Sequence, residues 1–328
     1  MVSGVFNGLS YVRHLHLVSN HLTFLDQEML QGLDQLNAVE LRNNKLTSID
    51  DKLFTHAPKL RLVDISENKL VDIGKSFSGL VHLEKLDVGH NQLSKICSEA
   101  FVGSPNIRRL SLYNNNITRI NRELFSPLVF LSNLQLNSNN IEVIEDEALS
   151  KCTFLKELTL YDNRLPTLKP EMFRGLVNLV ILDVRHNRVR SISAGTFLNL
   201  KKLRRLFLDR NELEELNRCT FTGLMSLRTL EISRNNLHTI EDFTFNDFQY
   251  LSEIRVHKNK LKAIHRNTFA GIPRLAILDI SNNELESIHD LHLTNKLYHF
   301  SVFGNKFNCS CAHLRHLATL DVDSIMTR

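Results

Sequence analysis

The chain has no run of eighteen or more apolar residues, so no segment reads as a membrane-spanning helix. Glycine (12) and proline (6) are scarce among its 328 residues, and no low-complexity or single-sign charge run interrupts the sequence. Nothing therefore reads as a linker, which predicts a single domain. The net charge of +4 is small for this length and gives no argument for a nucleic-acid partner. Residues 1–9 lack the basic start and apolar block of a signal peptide. There is no GxSxG, HExxH, phosphate-binding glycine loop or dinucleotide fingerprint. The fifteen histidines scatter without an accompanying column of acids or nucleophiles, and no enzyme or cofactor is expected.

What the chain does have is a period. Asparagine returns at 20, 44, 68, 91, 115, 139, 163, 187, 211, 235, 259, 283 and 305. Ten of the twelve gaps are 24 residues, one is 23 and one is 22. A regular period in this range marks a solenoid. Apolar residues keep fixed places around each asparagine, as in Leu200, Leu203, Leu206, Leu208, Asn211, Leu213, Leu216 and Phe221. The LxL step has strand spacing, with alternate residues on one face. One such unit cannot bury its apolar edge alone, so stacked units bury it against each other. Each LxL segment is expected to pair in parallel with the next, about 4.8 Å away. The asparagine sits where the chain leaves the strand, and its side chain can serve backbone groups of its own and the adjacent turn. Phenylalanine recurs on the far side at 54, 77, 101, 125, 173, 197, 221, 245 and 269, which predicts a spine of stacked rings. Leu30, Leu149 and Leu293 take that place in other units.

These residues resemble the leucine-rich repeat family over about residues 9–320. The 24-residue length and the phenylalanine spine resemble the "typical" class of extracellular arrays, of the Toll-like receptor, Slit and chaoptin kind. The resemblance implies an α/β fold: a curved, right-handed superhelical solenoid with a parallel sheet on its concave face. The convex side is expected to be mostly irregular or short helical. Residues 1–308 are assigned to an array of about thirteen units, and 309–328 to the start of a C-terminal cysteine cap.

That last assignment rests on Cys309 and Cys311, whose CxC spacing resembles the opening of the cap that closes such extracellular arrays. In the family both cysteines bond to two more further along, which this sequence does not contain. A metal site with His313 and His316 is an alternative, though two ligands one residue apart are a weak signal without a second pair. Cys97, Cys152 and Cys219 lie several repeats away, too far for a bridge. Cys152 occupies an apolar repeat position and reads as a small buried hydrophobe. The chain is expected to be a fragment of a longer exported protein, lacking its signal peptide. Two sequons, at Asn116 and Asn308, agree with export, and Asn116 should point outward as a glycosylation site.

Residues between the leucines should face the concave solvent side. Tyr113, Tyr161 and Phe207 stand there as large aromatics with no core to fill, which makes them candidate interface anchors. Arg185, Arg205, Arg210, Arg234, Arg255, His257 and Lys258 surround them, while Glu40, Asp64 and Asp87 make the earlier strands acidic. Such a polarised face would orient a partner. Asp183, Asp209 and Glu231 stand among the arginines and offer them pairs. The predicted ligand site is therefore Tyr113, Tyr161, Arg185, Phe207, Arg255 and His257. The expected role is a protein-binding ectodomain of a cell-surface receptor or adhesion protein, taking a protein ligand or co-receptor. A secreted recognition or matrix protein and an intracellular scaffold are the alternatives. Homo- or heterodimerisation stays open.

Overall fold

The computed structural model describes residues 5–288, 291, 293, 297–307 and the strand Ile325–Met326. Cys309, Cys311 and the sequon at Asn308 lie outside the described residues. Two compact units are distinguished: Met1–Asn163 with Arg174–Leu176, and Arg164–Phe173 with Val177–Arg328.

In the first unit, three-residue strands follow one another as the LxL step predicts: His14–His16, Ala38–Glu40, Leu62–Asp64, Lys85–Asp87, Arg109–Ser111, Asn133–Gln135 and Glu157–Thr159. Neighbours pair in parallel, with Leu86 opposite Leu110 and Leu110 opposite Leu134. The 23-residue interval is absorbed outside the strands, since Asp64 still faces Asp87. The second unit repeats the pattern from Ile181–Asp183 through Arg205–Phe207, Thr229–Glu231, Glu253–Arg255 and Ile277–Asp279 to His299–Ser301. The 22-residue interval likewise leaves Asp279 opposite Ser301. Both units are parallel-strand solenoids with little helix, among the described residues only the short 3-10 turns Leu53–His56 and Pro170–Phe173. The far side is not wholly irregular. Two-residue parallel pairs join Phe24–Leu25 to Ser48–Ile49 and Arg119–Ile120 to Val143–Ile144 in the first unit. In the second they join Thr167–Leu168 to Ser191–Ile192 and Glu215–Leu216 to Thr239–Ile240.

The repeated asparagines from Asn44 to Asn283 are buried, whereas Asn20 is exposed and Asn305 half-buried. Asn139 Nδ2 donates to the carbonyls of Leu136 and Asn137 in its own turn and of Leu112 one repeat back. Its Oδ1 accepts the Ile117 amide at 3.0 Å. Asn235 does the same with Ile232, Ser233, Leu208 and Leu213. Each amide thus ties backbone groups of two successive turns together, and its oxygen takes a buried N–H that would otherwise be stranded. The residue just before each of the thirteen asparagines is left-handed, with φ from 51° to 67°. Only Gly304 among these thirteen corners is a glycine; the others include Glu67, His90, Arg210 and Lys258. An L side chain pays about 1–2 kcal/mol there, so the corner is a strain that the asparagine bonds hold in place.

The leucines of the LxL step are sealed, with Leu134, Leu136, Leu206 and Leu208 fully buried. Behind them lie the phenylalanines of the predicted spine, all nine buried and seven of them in ring contact. Phe54 and Phe77 lie 5.5 Å apart in the first unit. In the second, Phe173, Phe197, Phe221, Phe245 and Phe269 form a run with centroids 5.6–6.2 Å apart. Phe248 joins that run against Phe221 and Phe245, a place that the phenylalanine pattern does not announce. Cys152 is buried, and burial pushes its thiol up to about 12. Ser104 holds the equivalent place one pair of repeats earlier. As Cys152 Sγ donates to Phe125 O, so Ser104 donates to the matching carbonyl while also accepting an amide. Its hydroxyl donates to Phe77 O and accepts the Leu80 amide.

Candidate functional site

The inner sheet faces carry three rows of side chains between and beside the buried leucines, and each unit has its own arrangement.

In the first unit the predicted aromatics are Tyr113 and Tyr161. They stand in one row, two strands apart, with Asn137 between them. Both are half-buried. Tyr113 lies over Gly89, where the absence of a side chain gives the ring room. Its edge also meets His90, with centroids 5.0 Å apart. Desolvation raises the Tyr113 hydroxyl, and the nearby Asp87 adds to it. Burial likewise raises Asp87, with Asp64 beside it reinforcing the shift and the Gly89 amide opposing it. Arg42 is engaged by Glu67.

In the second unit Arg185, Phe207, Arg255 and His257 come together with acids that the sequence placed nearby. Arg185 Nε donates to both Asp183 oxygens, at 2.9 and 3.1 Å, and Nη2 to Oδ2 at 2.6 Å. The guanidinium also lies over the Phe207 ring, 5.1 Å from its centroid. Cation–π contact of this kind holds a flat cation on a ring. Arg255 spans Glu253 at 2.5 Å and Glu231 at 3.7 Å. His257 Nδ1 reaches Asp279 at 3.2 Å and Ser233 Oγ at 2.8 Å. The face expected to present arginines is therefore a layer of guanidinium groups seated on carboxylates. The side chain of Asp183 is 6% exposed and that of Arg185 is 43% exposed.

Serine, histidine and aspartate in contact invite a nucleophilic reading, which the geometry rejects. Both contacts fall on the same ring nitrogen, and the Ser233 hydroxyl donates to Glu231. A relay needs one partner on each nitrogen, with the serine proton directed at the ring. The contacts instead stabilise an acid. Burial opposes ionisation of Asp279, but hydrogen bonds from His257 and Ser281 outweigh it and bring the group to about 2. Asp209 moves the other way. Burial pushes it up to about 6, with Glu231 and Asp183 adding and Arg185 opposing.

Part of the acidity has a local cause that sequence reading missed. Where each strand ends, one backbone amide falls outside the ladder. Asp64, Asp87, Asp183, Glu231 and Asp279 each accept the N–H two residues on, from Ser66, Gly89, Arg185, Ser233 and Ser281. These carboxylates cap strands as well as colouring the surface. The signal was present as an acid at the middle of LxL. Also missed was an exposed pair away from this face, Phe130 and Phe154, 5.7 Å apart. Asn116 is exposed, as its sequon requires.

A family model described as leucine rich repeat matches overlapping segments that together run from residue 3 to 307. The chain belongs to the leucine-rich repeat family. Its structural relatives share this repeat fold. The TLR13–ssRNA13 complex aligns with a TM-score of 0.78 and 24% identity, covering 99% of this chain and 52% of that one. Drosophila Toll, in its glycosylated complex with Spatzle, aligns with a TM-score of 0.83 and 22% identity, covering 98% and 46%. A chain of the octameric complex of Latrophilin 3, Unc5D and the FLRT2 leucine-rich repeats aligns with a TM-score of 0.66 and 26% identity, covering 90% and 84%. This chain thus spans about half the length of the first two. Comparison with curated proteins gives no match. No helix among the described residues is long and apolar enough to cross a membrane.

Proposed function

We propose that this leucine-rich repeat chain is the ligand-binding ectodomain of a cell-surface receptor or adhesion protein. It holds a protein ligand on its inner sheet faces and has no catalytic role. The observation that carries the reading is the Arg185–Phe207 stack. A half-buried aromatic and an arginine already fixed in place offer an anchor that loses little side-chain freedom on binding. Arg255 and His257 extend that anchor along the second unit, and Tyr113 and Tyr161 supply a separate aromatic contact on the first.

Protein is favoured over RNA as the ligand, although one structural relative is an RNA complex. Asp183, Asp209, Glu231, Glu253 and Asp279 lie on the inner face of the second unit, and such an array of carboxylates opposes a phosphate backbone. Surface location is supported by the extracellular class of the relatives and by the exposed Asn116 sequon, which we assign as a glycan acceptor.

The experiment is a binding screen of the chain, expressed through a secretory pathway, against secreted and cell-surface proteins. Phe207→Ala and Tyr161→Ala are then tested on the ligand found. Loss of at least tenfold in affinity with unchanged thermal unfolding is expected for Phe207→Ala. Full affinity in both variants would remove the inner faces from the reading. The Asn116 assignment fails if glycosidase treatment leaves the mass of the secreted protein unchanged.

A further inference from the structure

Asp209 departs from the acids around it. Asp183, Glu231 and Asp279 each take a backbone amide two residues ahead. Asp209 stands beyond the second leucine of its step, and its carboxylate takes its backbone hydrogen bond from its own amide. Its Oδ1 is sealed from water and accepts no hydrogen bond. The nearest cation is Arg185, whose Nε lies 3.9 Å from that oxygen. The same Nε is bonded to Asp183 on the preceding strand. One guanidinium therefore lies between two carboxylates, over the ring of Phe207.

A sealed carboxylate oxygen without a donor is costly while it carries charge. Two changes relieve it. Arg185 can slide from Asp183 toward Asp209, or Asp209 can take a proton. The charged groups acting on Asp209 are Glu231 from the following strand, with Asp183 and Arg185 from the preceding one. The two acids oppose its ionisation and Arg185 favours it.

We propose that Asp209 is a proton-operated latch on Arg185. Ionised, it shares the guanidinium with Asp183 and pins it across Phe207. Protonated, it releases its share, and Arg185 answers to Asp183 alone. The latch acts on the anchor of the proposed ligand site, so its use in regulating capture rests on that reading. The latch itself does not, and it is tested on the unliganded protein.

The test is a pH titration of the ¹⁵N-labelled chain from pH 4.5 to 7.5, following the Arg185 Nε–Hε resonance, assigned by its loss in Arg185→Lys. In the wild type the resonance should move with a single midpoint near that of Asp209, raised to about 6. Asp209→Asn should hold it still. Glu231→Gln removes a neighbouring negative charge and should shift the midpoint to lower pH. A stationary Arg185 resonance in the wild type, or an unchanged titration in Asp209→Asn, overturns the latch. Neither result touches the ligand reading, which stands or falls on Phe207→Ala.

Discussion

The ring of Tyr113 occupies the space that Gly89 leaves empty on the neighbouring strand. A methyl group at Gly89 would collide with the ring, and the backbone there needs no special conformation. Gly89→Ala should therefore push the ring off the sheet and break its edge contact with His90. The expected cost is about 0.5–1.5 kcal/mol, the worth of a good aromatic contact. Thermal unfolding and the Tyr113 ring resonances check it. An unmoved ring would mean that the strands part instead.

Asn139 makes four hydrogen bonds to backbone groups in two successive turns. In Asn139→Ala the three carbonyls keep Asn115, Asn163 and Asn114 as donors, but the buried Ile117 amide loses its acceptor, so the expected cost is about 1–3 kcal/mol. Asn139→Asp should cost more, since a carboxylate would face three carbonyls with no proton to give. The corner before it is left-handed at Ser138. Ser138→Val should destabilise, because a β-branched residue fits that region badly, while Ser138→Gly should be near neutral. Denaturant unfolding at equilibrium ranks the four variants.

The pH dependence of stability should carry two opposite signatures. For Asp209 the folded protein holds its proton up to about 6, against an ordinary value of 3.8. Between these values the native state binds more protons than the unfolded one, so stability falls as pH rises. The ceiling is about 3 kcal/mol at 1.36 kcal/mol per unit. Asp209→Asn should flatten this window and raise stability at pH 7. Asp279, held down at about 2, contributes stability above its ordinary 3.8 and loses it as pH falls toward 2. Urea denaturation between pH 2 and 7.5 separates the two. A wild-type curve that rises steadily from pH 4 to 6 and coincides with that of Asp209→Asn would contradict the Asp209 assignment.

Thiol labelling should sort the described cysteines by environment. Cys219 is exposed and Cys97 partly so. Both should react with a maleimide in the native protein. Cys152, sealed and pushed up to about 12, should react only on unfolding. Cys152→Ser should be tolerated within about 1 kcal/mol, because Ser104 shows how a hydroxyl at this place finds both a donor and an acceptor. Mass spectrometry after timed labelling and a melting curve decide both points.

The scaffold was legible because its signals repeat. Leu206, Asn211 and Phe221 each have counterparts a fixed distance along the chain, and strand register follows from that distance alone. The candidate site was legible only in part. Sequence placed Arg185, Asp183, Asp209 and Phe207 on one face, since alternation in a strand decides the face. It did not decide that Arg185 would take Asp183 in preference to Asp209. That choice depends on angles and distances within one side chain, and adjacent acids compete for it. The strand-capping acids were read as surface charge because period two assigns a direction and says nothing of a carboxylate bending back to its own backbone. The left-handed corners were hidden for a related reason: serine, histidine, arginine and lysine fill a place where glycine would have announced it.

The asparagine bonds reach back about one repeat, as from Asn139 to Leu112 and from Asn235 to Leu208. Within either unit, force applied along the chain would meet these fastenings in succession. Pulled from one end, a unit should peel coil by coil, each step releasing about the same length of chain. Its resistance to tension is set by a single clasp and does not grow with the number of coils.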